Sequence, residues 1–180
     1  RGGMGEAWLA LDADDHAVVL KTVRSDRADD AETCAAFRAE IAVTALLRHQ
    51  HVVRHVDHGI WHGQEVLALG YIDGVGLDLL ARSSAPVDAT LAVACDLASA
   101  LSYLHALTDA DGVPLELLHG DLSPRNVLID VTGSAHLIDF GTVAVRCHRR
   151  PTRIVGTRGY VSPEQARGEM LSNGSDQYSL

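Results

Sequence analysis

The sequence predicts an α+β protein of two lobes, with strands dominating residues 1–72 and helices dominating residues 73–180. Short apolar runs separated by turn residues fill the first part, whereas one long helical pattern occupies residues 86–107 in the second. The polar, glycine-containing stretch 73–76 lies between the two patterns and is predicted to be a flexible junction. We therefore treat the two parts as the N-terminal and C-terminal lobes of one domain.

Composition and charge restrict the classes of protein to which the chain can belong. Its hydrophobic content of 47% is typical of a globular protein, and no run of 18 apolar residues predicts a membrane span. The net charge of −9 argues weakly against nucleic acid as a partner. Three scattered cysteines argue against a disulfide framework. These features predict a cytoplasmic location for this part of the protein, with a membrane anchor still open for the full-length chain.

A glycine-rich turn followed by two strands is predicted at the start of the first lobe. The turn at 1–5 leads into a strand at 7–11, and a polar loop joins this strand to a second one at 17–23, which contains Lys21. Glycines in such a turn allow the backbone to approach phosphate groups closely. The turn alone is a weak signal, because most glycine-rich turns bind nothing.

A helix and a third strand complete the first lobe. Apolar residues at three- and four-residue spacing predict a helix over 29–47, which carries the acidic residue Glu40. The third strand is predicted at 65–72. Five histidines lie between these elements, but their spacing fits no standard metal-ligand set, so we interpret them as strand and loop residues: His49, His51, His55, His58 and His62.

The second lobe is predicted to contain a core helix and a strand hairpin. The helix over 86–107 has a wide apolar face formed by Leu91, Cys95, Ala98, Leu101, Tyr103 and Leu104. Two short apolar runs, 127–129 and 136–138, are joined by a turn that contains a glycine. A hairpin at this position would hold Asn126 at its entry and Asp139 at its exit.

Three oxygen-bearing side chains are therefore predicted to lie close together: Asp121, Asn126 and Asp139. Mg²⁺ prefers oxygen ligands and is commonly bound together with a phosphate group. This pattern predicts a nucleotide site. The basic segment 142–158 follows the hairpin without helical or strand periodicity, and a long irregular segment beside a candidate site is more often functional than accidental.

The order and spacing of these motifs resemble the protein kinase family, most closely the bacterial Ser/Thr kinases that are similar to the eukaryotic ones. The motifs are RGGMGEA at the start, VVLK ending at Lys21, Glu40, HGDLSPRN from His119, DFG from Asp139 and SPE from Ser162. The resemblance covers the whole chain. It implies the two-lobed kinase fold, ATP as substrate and Mg²⁺ as cofactor.

The resemblance also implies roles in nucleotide binding. Lys21 would pair with the α- and β-phosphates of ATP and would be held by Glu40. The loop glycines would cover the phosphates, and apolar side chains would surround the adenine. The residues implied in these contacts are Gly2, Gly3, Gly5, Ala7, Val19, Leu69, Ile72 and Leu128.

Catalysis and substrate docking are implied for the second lobe. Asp121 would accept the proton of the substrate hydroxyl, while Asn126 and Asp139 would bind Mg²⁺. Thr157, in the docking stretch GTRGYVSPEQ, stands where Ser/Thr kinases carry threonine, so the implied partner is a protein with a serine or threonine acceptor. Autophosphorylation in trans is a further implication. Asp176 resembles the aspartate that braces the catalytic loop.

The sequence departs from the family pattern at three positions. Gly120 replaces an arginine that binds a phosphorylated activation loop, so we expect activity to depend little on phosphorylation of the candidate site Thr152. Ser123 replaces a lysine that steadies the γ-phosphate, and we hypothesise that Arg125 supplies this charge during catalysis. Val19 replaces a smaller alanine and would narrow the adenine pocket.

Two alternatives within the same fold stay open. A pseudokinase would keep the fold as a nucleotide-binding or scaffold module, which the three departures favour slightly. A small-molecule phosphotransferase is the other, because aminoglycoside-modifying enzymes also use a catalytic loop that reads HGD. The chain begins within a glycine cluster and ends within a helical pattern, so we expect these 180 residues to be part of a longer domain and to be inactive or unstable alone.

Overall fold

The computed structural model describes residues 5–81, 85–141, 144–145 and 156–180. Within it the chain divides into two compact units. The first contains the residues up to Arg48 together with Val53–Ile72, and the second contains His49–Val52 and the residues from Asp73 onward. The α+β class and the kinase-like succession of a strand-rich part and a helical part are confirmed.

The first unit is built on a four-stranded antiparallel sheet. Its strands are β1 (Gly5–Leu11), β2 (Ala17–Val23), β3 (His55–Trp61) and β4 (Gln64–Gly70), and they lie in the order β1-β2-β4-β3. The predicted hairpin of β1 and β2 is confirmed. The strand β3 was not predicted as such, because its histidines and glycine break the alternation of apolar and polar residues that marks a strand.

One helix, α1 (Ala31–Leu46), accompanies this sheet. It begins at the N-cap Asp30, whose side chain accepts a hydrogen bond from the backbone N–H of Glu32 at 3.2 Å. The periodic residues Phe37 and Ile41 are buried, as the helical spacing predicts. Their burial fixes the rotation of the helix about its own axis and thereby determines which residues face the sheet.

The second unit contains several short strands and four helices among its described residues. They are β5 (Gly74–Gly76), α2 (Leu77–Leu80), α3 (Val87–His105), β6 (Leu117–Leu118), β7 (Val127–Asp130), β8 (Ala135–Leu137), β9 (Ala144–Val145), α4 (Pro163–Ala166) and α5 (Asn173–Ser179). The strands form one sheet in the order β5-β7-β8 and a second sheet of β6 and β9.

The hairpin of β7 and β8 is confirmed, and Asp130 shapes its turn. The Asp130 carboxylate accepts hydrogen bonds from the backbone N–H groups of Thr132 at 2.8 Å and Ser134 at 3.1 Å. The Thr132 hydroxyl and the His136 imidazole also contact it, and they hold the pKa of the Asp130 carboxyl well below its usual range. The turn therefore keeps the two strands in one register.

Gly74–Gly76 of the junction at 73–76 form the strand β5, which corrects the prediction of a flexible junction. Gly74 pairs with Asp130 and Gly76 with Leu128. A Cβ atom at Gly74 would collide with the carbonyl oxygen of Ile129. The glycine is therefore needed for the close approach of two backbones.

Helix α3 buries a narrower face than its sequence predicts. Leu97, Leu101 and Leu104 are buried, but Leu91 is 58% exposed and Cys95 is exposed, because no described element covers the first half of the helix. By length and composition, α3 is also the one described helix that could cross a membrane. One such helix is weak evidence for a membrane span, since the core helix of a soluble protein passes the same test.

Candidate active site

The first unit contains an ion pair between a strand and a helix. Lys21 on β2 lies with its Nζ atom 2.5 Å from Oε1 of Glu40 on α1. The side chains are 20% and 5% exposed, respectively. Glu40 lies on the buried face of α1, together with Phe37 and Ile41, so the helix rotation described above aims its carboxylate at the strand.

Four of the predicted nucleotide contacts share one face of the sheet in this unit. Ala7 lies directly opposite Lys21 in the pairing of β1 with β2, and Val19 lies directly opposite Leu69 in the pairing of β2 with β4. Directly opposed residues, and residues two apart on one strand, point to the same side of a sheet. The sheet therefore presents two apolar side chains and one small side chain beside the lysine.

The predicted glycine loop is described only at its last glycine. A Cβ atom on Gly5 would lie 3.0 Å from the carbonyl oxygen of Thr22, a tight contact with the neighbouring strand, and 3.5 Å from Cε of Lys21, so Gly5 lies directly beside the lysine. Gly2 and Gly3 lie outside the described residues. Ile72 is the last residue of the first unit.

In the second unit, hydrogen bonds connect Asp121, Asn126 and Thr157. The Asn126 side-chain amide donates to the carbonyl oxygen of Asp121 at 2.8 Å and lies 3.3 Å from its carboxylate atom Oδ2. The other carboxylate oxygen, Oδ1, accepts a hydrogen bond from the backbone N–H of Thr157 at 2.7 Å. The Asp121 carboxylate is thus oriented from two sides.

The two predicted metal ligands flank the open end of the β7–β8 hairpin. The carbonyl of Asn126 accepts a hydrogen bond from the N–H of Ile138 at 2.9 Å, and Asp139 comes next in the chain. Asp139 is exposed and has a left-handed backbone with φ of 64°. Because the Asn126 nitrogen is engaged with Asp121, its Oδ1 is the atom that could join the Asp139 carboxylate in an oxygen donor set of the kind that fits Mg²⁺. Leu128 lies within this hairpin, opposite Gly76 and His136.

Asp176 on α5 holds the backbone that precedes Asp121. It accepts hydrogen bonds from the N–H groups of His119 and Gly120, each at 2.9 Å, and lies 2.8 Å from Nε2 of His105 on α3. Burial alone would raise the pKa of Asp176, but these three partners lower it and keep the carboxylate ionised. Sequence reasoning predicted Asp176 but missed His105, since a lone histidine at a helix end carries no motif.

His119 is buried and neutral beside this network. Burial lowers its pKa, outweighing the nearby carboxylates of Asp176, Asp139 and Asp121. Its Nδ1 atom accepts a weak hydrogen bond from the Asp121 N–H at 3.3 Å, which fits a neutral ring. The ring centroid lies 5.3 Å from that of Phe140, the residue after Asp139.

The departures from the kinase pattern have distinct environments. Gly120 has φ of 75°, a left-handed conformation that favours glycine. Ser123 is 2% exposed, and its Oγ has no hydrogen-bond partner among the described residues. Arg125 is exposed. Thr152 lies outside the described residues.

The five-histidine stretch is divided between the two units. In the second unit, His49 stacks on Tyr103 of α3 with ring centroids 5.0 Å apart, and Nδ1 of His51 lies 3.0 Å from the carbonyl oxygen of Ala135. In the first unit, His55 and His58 contact each other at 3.2 Å. The histidines therefore serve local packing in two separate places.

The protein-kinase-like fold has a characteristic order of features along the chain. A lysine on a strand pairs with a glutamate on a helix, and a loop with an aspartate and an asparagine follows. A hairpin that ends in an aspartate comes next. The comparison with family models agrees: the model of the protein kinase domain matches residues 1–180. The chain belongs to the protein kinase family.

Similar curated proteins are bacterial kinases. A serine/threonine-protein kinase drp72 of Corynebacterium efficiens is 35% identical over 99% of this chain and 35% of its own length. The serine/threonine-protein kinase PknD of Mycobacterium tuberculosis is 33% identical over the whole chain and 27% of its own length. The tyrosine-protein kinase MasK of Myxococcus xanthus is 29% identical over 99% of the chain and 30% of its own length. The chain thus spans about a third of the length of these relatives.

Proposed function

We propose that the protein transfers the γ-phosphoryl group of ATP to serine and threonine hydroxyls of protein substrates. The observation that supports this most directly is the oriented carboxylate of Asp121, which Asn126 and the Thr157 backbone contact from two sides. A base that accepts a hydroxyl proton must be fixed relative to the acceptor, because phosphoryl transfer depends mainly on positioning and charge. Asp121 is this base in the proposal.

Within the first unit, the nucleotide is assigned to the residues on the Lys21 face of the sheet. Lys21 neutralises the α- and β-phosphates, and Glu40 keeps its ammonium group in place. The apolar residues Val19 and Leu69 contact the adenine, together with Ala7 and Ile72. For Leu128 in the second unit, the role in adenine binding is taken from the resemblance to the kinase family. The glycines Gly2, Gly3 and Gly5 cover the phosphates.

The donor set of Asn126 and Asp139 fits Mg²⁺, and these two residues would hold it. When bound, the ion would neutralise charge on the phosphate oxygens. The chain itself fixes the two ligands at the open end of one hairpin, where the Ile138 N–H donates a hydrogen bond to the backbone carbonyl of Asn126.

Serine and threonine are the proposed acceptors for two reasons. Thr157 occupies the position at which the Ser/Thr kinases of the family carry threonine, and its N–H contacts Asp121. Most of the similar bacterial proteins are also named as serine/threonine kinases. Autophosphorylation in trans and a cytoplasmic location of the catalytic domain belong to the same proposal.

The test is the replacement Asp121→Asn in the full-length protein. Incorporation of labelled phosphate from ATP into serine- and threonine-containing peptides should fall by at least about a hundredfold, since general-base catalysis contributes on that scale. Asp111→Asn, which makes the same change at an exposed loop position, should retain wild-type activity.

Three results would contradict the proposal. A wild-type protein that binds Mg·ATP but transfers no phosphate to any peptide would favour the pseudokinase. Consumption of ATP with an aminoglycoside and not with peptides would favour the small-molecule phosphotransferase. Undiminished transfer by the Asp121→Asn variant would show that another group is the base.

A further inference from the structure

A buried glutamine on α4 contacts the backbone next to Asp121. Gln165 is 5% exposed, and its Nε2 donates a hydrogen bond of 2.6 Å to the carbonyl oxygen of Gly120. Its Oε1 accepts a hydrogen bond from the Ser162 N–H at 3.1 Å. A carbonyl can only accept and an N–H can only donate, so chemistry fixes the orientation of this amide.

Two hydrogen bonds thus run from the segment 156–167 to residues 120 and 121. The Thr157 N–H binds the Asp121 carboxylate, and the Gln165 amide binds the carbonyl immediately before it in the chain. On its other side, the Gly120 N–H donates to Asp176. Gln165 therefore binds the carbonyl of Gly120, and Asp176 binds its N–H group. Because glycine has no side chain that could pack, these two hydrogen bonds fix its backbone.

The Gln165 amide lies beside Gly156 and is held by its own helix. Gly156 has φ of 137°, and a Cβ atom there would lie 2.9 Å from Cγ2 of Val161 and 3.5 Å from Nε2 of Gln165. Gln165 also completes a capping box, because its own N–H donates to Oγ of Ser162 at 3.3 Å. The amide is thereby anchored to its helix at one end and to the loop at the other.

We propose that Gln165 is a positioning residue for phosphoryl transfer: its amide transmits the position of the segment 156–167 to the main chain at Asp121. This inference rests on the proposed function, in which Asp121 is the base. Loss of the Gln165 donor would let the Gly120–Asp121 peptide rotate, and small displacements of a catalytic group lower the rate strongly. The segment 156–167 contains the stretch assigned to substrate docking, residues 156–165, so docking and base alignment would be connected through this amide.

The substitution Gln165→Glu separates the two tasks of the side chain. A glutamate keeps an acceptor for the Ser162 N–H and so preserves the capping box. It replaces only the Nε2 donor that faces Gly120, and the carboxylate oxygen in its place is repelled by the Gly120 carbonyl oxygen. The same substitution at the exposed Gln177 of α5 adds the same negative charge without this contact and serves as the control.

The experiment measures kcat and KM for ATP and for a serine-containing peptide, using the full-length protein between pH 6 and pH 8. Gln165→Glu should lower kcat by roughly ten- to a hundredfold at pH 8 with KM for ATP unchanged. A carboxyl group that faces a carbonyl oxygen binds its proton more tightly, and once protonated it can donate as the amide does. The ratio of variant to wild-type kcat should therefore rise as the pH falls, which a purely structural role would not produce.

A second variant keeps the test decisive if Gln165→Glu does not fold. Gln165→Met has a similar volume and no donor, so it should lower kcat to a similar extent with a ratio that does not change with pH. Wild-type kcat in either folded variant would overturn the inference. If Asp121→Asn were fully active, the proposed function would fail instead, so the two failures are distinguishable.

Discussion

The Lys21–Glu40 pair and the Asp176 network both place a carboxylate in a buried setting, but they differ in what they hold. Glu40 contacts the flexible ammonium group of Lys21, and Lys21 is 20% exposed. Asp176 is almost fully buried and receives two backbone N–H groups and an imidazole. The first arrangement fixes the end of a side chain, whereas the second fixes the main chain of the loop that carries Asp121.

This difference predicts that substitutions at one site lower mainly the stability of the protein and substitutions at the other lower mainly its activity. A side-chain pair can be broken while the strand and the helix keep their own hydrogen bonds and apolar contacts. A carboxylate that satisfies buried backbone donors cannot be removed in this way, because the donors stay behind without partners. Substitutions at Asp176 should therefore act first on folding, and substitutions at Lys21 first on phosphoryl transfer.

The largest effect on stability is expected for Asp176→Ala. The change leaves two backbone N–H groups and His105 without their acceptor, which should lower the free energy of unfolding by roughly 3–5 kcal/mol. Chemical denaturation of the full-length protein measures this loss, with Asp111→Asn as the exposed control. A loss below about 1 kcal/mol would remove the distinction between the two regions.

Acidification should weaken the same network progressively. The pKa of Asp176 is lower in the folded protein than the unfolded value of about 3.9, so the ionised group contributes stability that is complete above that pH and is lost as the pH falls through the folded pKa. The stability difference between wild type and Asp176→Asn should therefore be constant from pH 7 to about pH 5 and shrink below about pH 4. Unfolding free energies measured across this range test the prediction. A difference independent of pH would mean that the pKa of Asp176 is the same in the folded and unfolded states, which would contradict the lowered pKa.

A smaller effect is expected for the ion pair in the first unit. A double-mutant cycle of Lys21→Met and Glu40→Gln should give a coupling energy of about 1–2 kcal/mol, since the pair is partly open to water. Each single variant should lose most of its phosphoryl transfer. If the coupling exceeded the loss caused by Asp176→Ala, the first region and not the second would be the stronger support of its unit.

The smallest effect on stability is expected at Arg125. Its side chain is exposed, so Arg125→Ala should change the free energy of unfolding by less than about 0.5 kcal/mol. We expect kcat to fall nevertheless, with the affinity for ATP retained, because Arg125 is proposed to supply the positive charge that Ser123 lacks. Steady-state kinetics together with ATP titration separate the two quantities. Unchanged kcat would refute the role of Arg125, and Arg125→Lys is the matched variant that keeps the charge.

The sequence was informative where chemistry and periodicity coincide. The hairpin with Asn126 at its entry and Asp139 at its exit follows from two apolar runs and a glycine turn. The helix that carries Glu40 follows from the spacing of Phe37 and Ile41. The burial of Glu40 beside them does not, because the same spacing placed Glu40 on another face of the helix. A local rule thus determines the element but not always the direction of a side chain.

The predictions failed where the role of a residue depends on a contact with another residue that is distant in the sequence. Gly74 was interpreted as a sign of flexibility, but it permits close contact with Ile129, 55 positions later in the chain. Leu91 was assigned to the core by its spacing, although periodicity shows which face is apolar and not what covers it. His105 and Gln165 act on a carboxylate and a carbonyl whose positions only the tertiary structure determines.

The left-handed backbone of Gly120 has a consequence for how this loop can evolve. A residue with a Cβ atom in that conformation costs about 1–2 kcal/mol, so a change from glycine to any other residue starts at a disadvantage. The change in the opposite direction relieves the same strain. Reversion to the arginine of the family pattern would therefore cost this strain unless the loop changed its conformation as well.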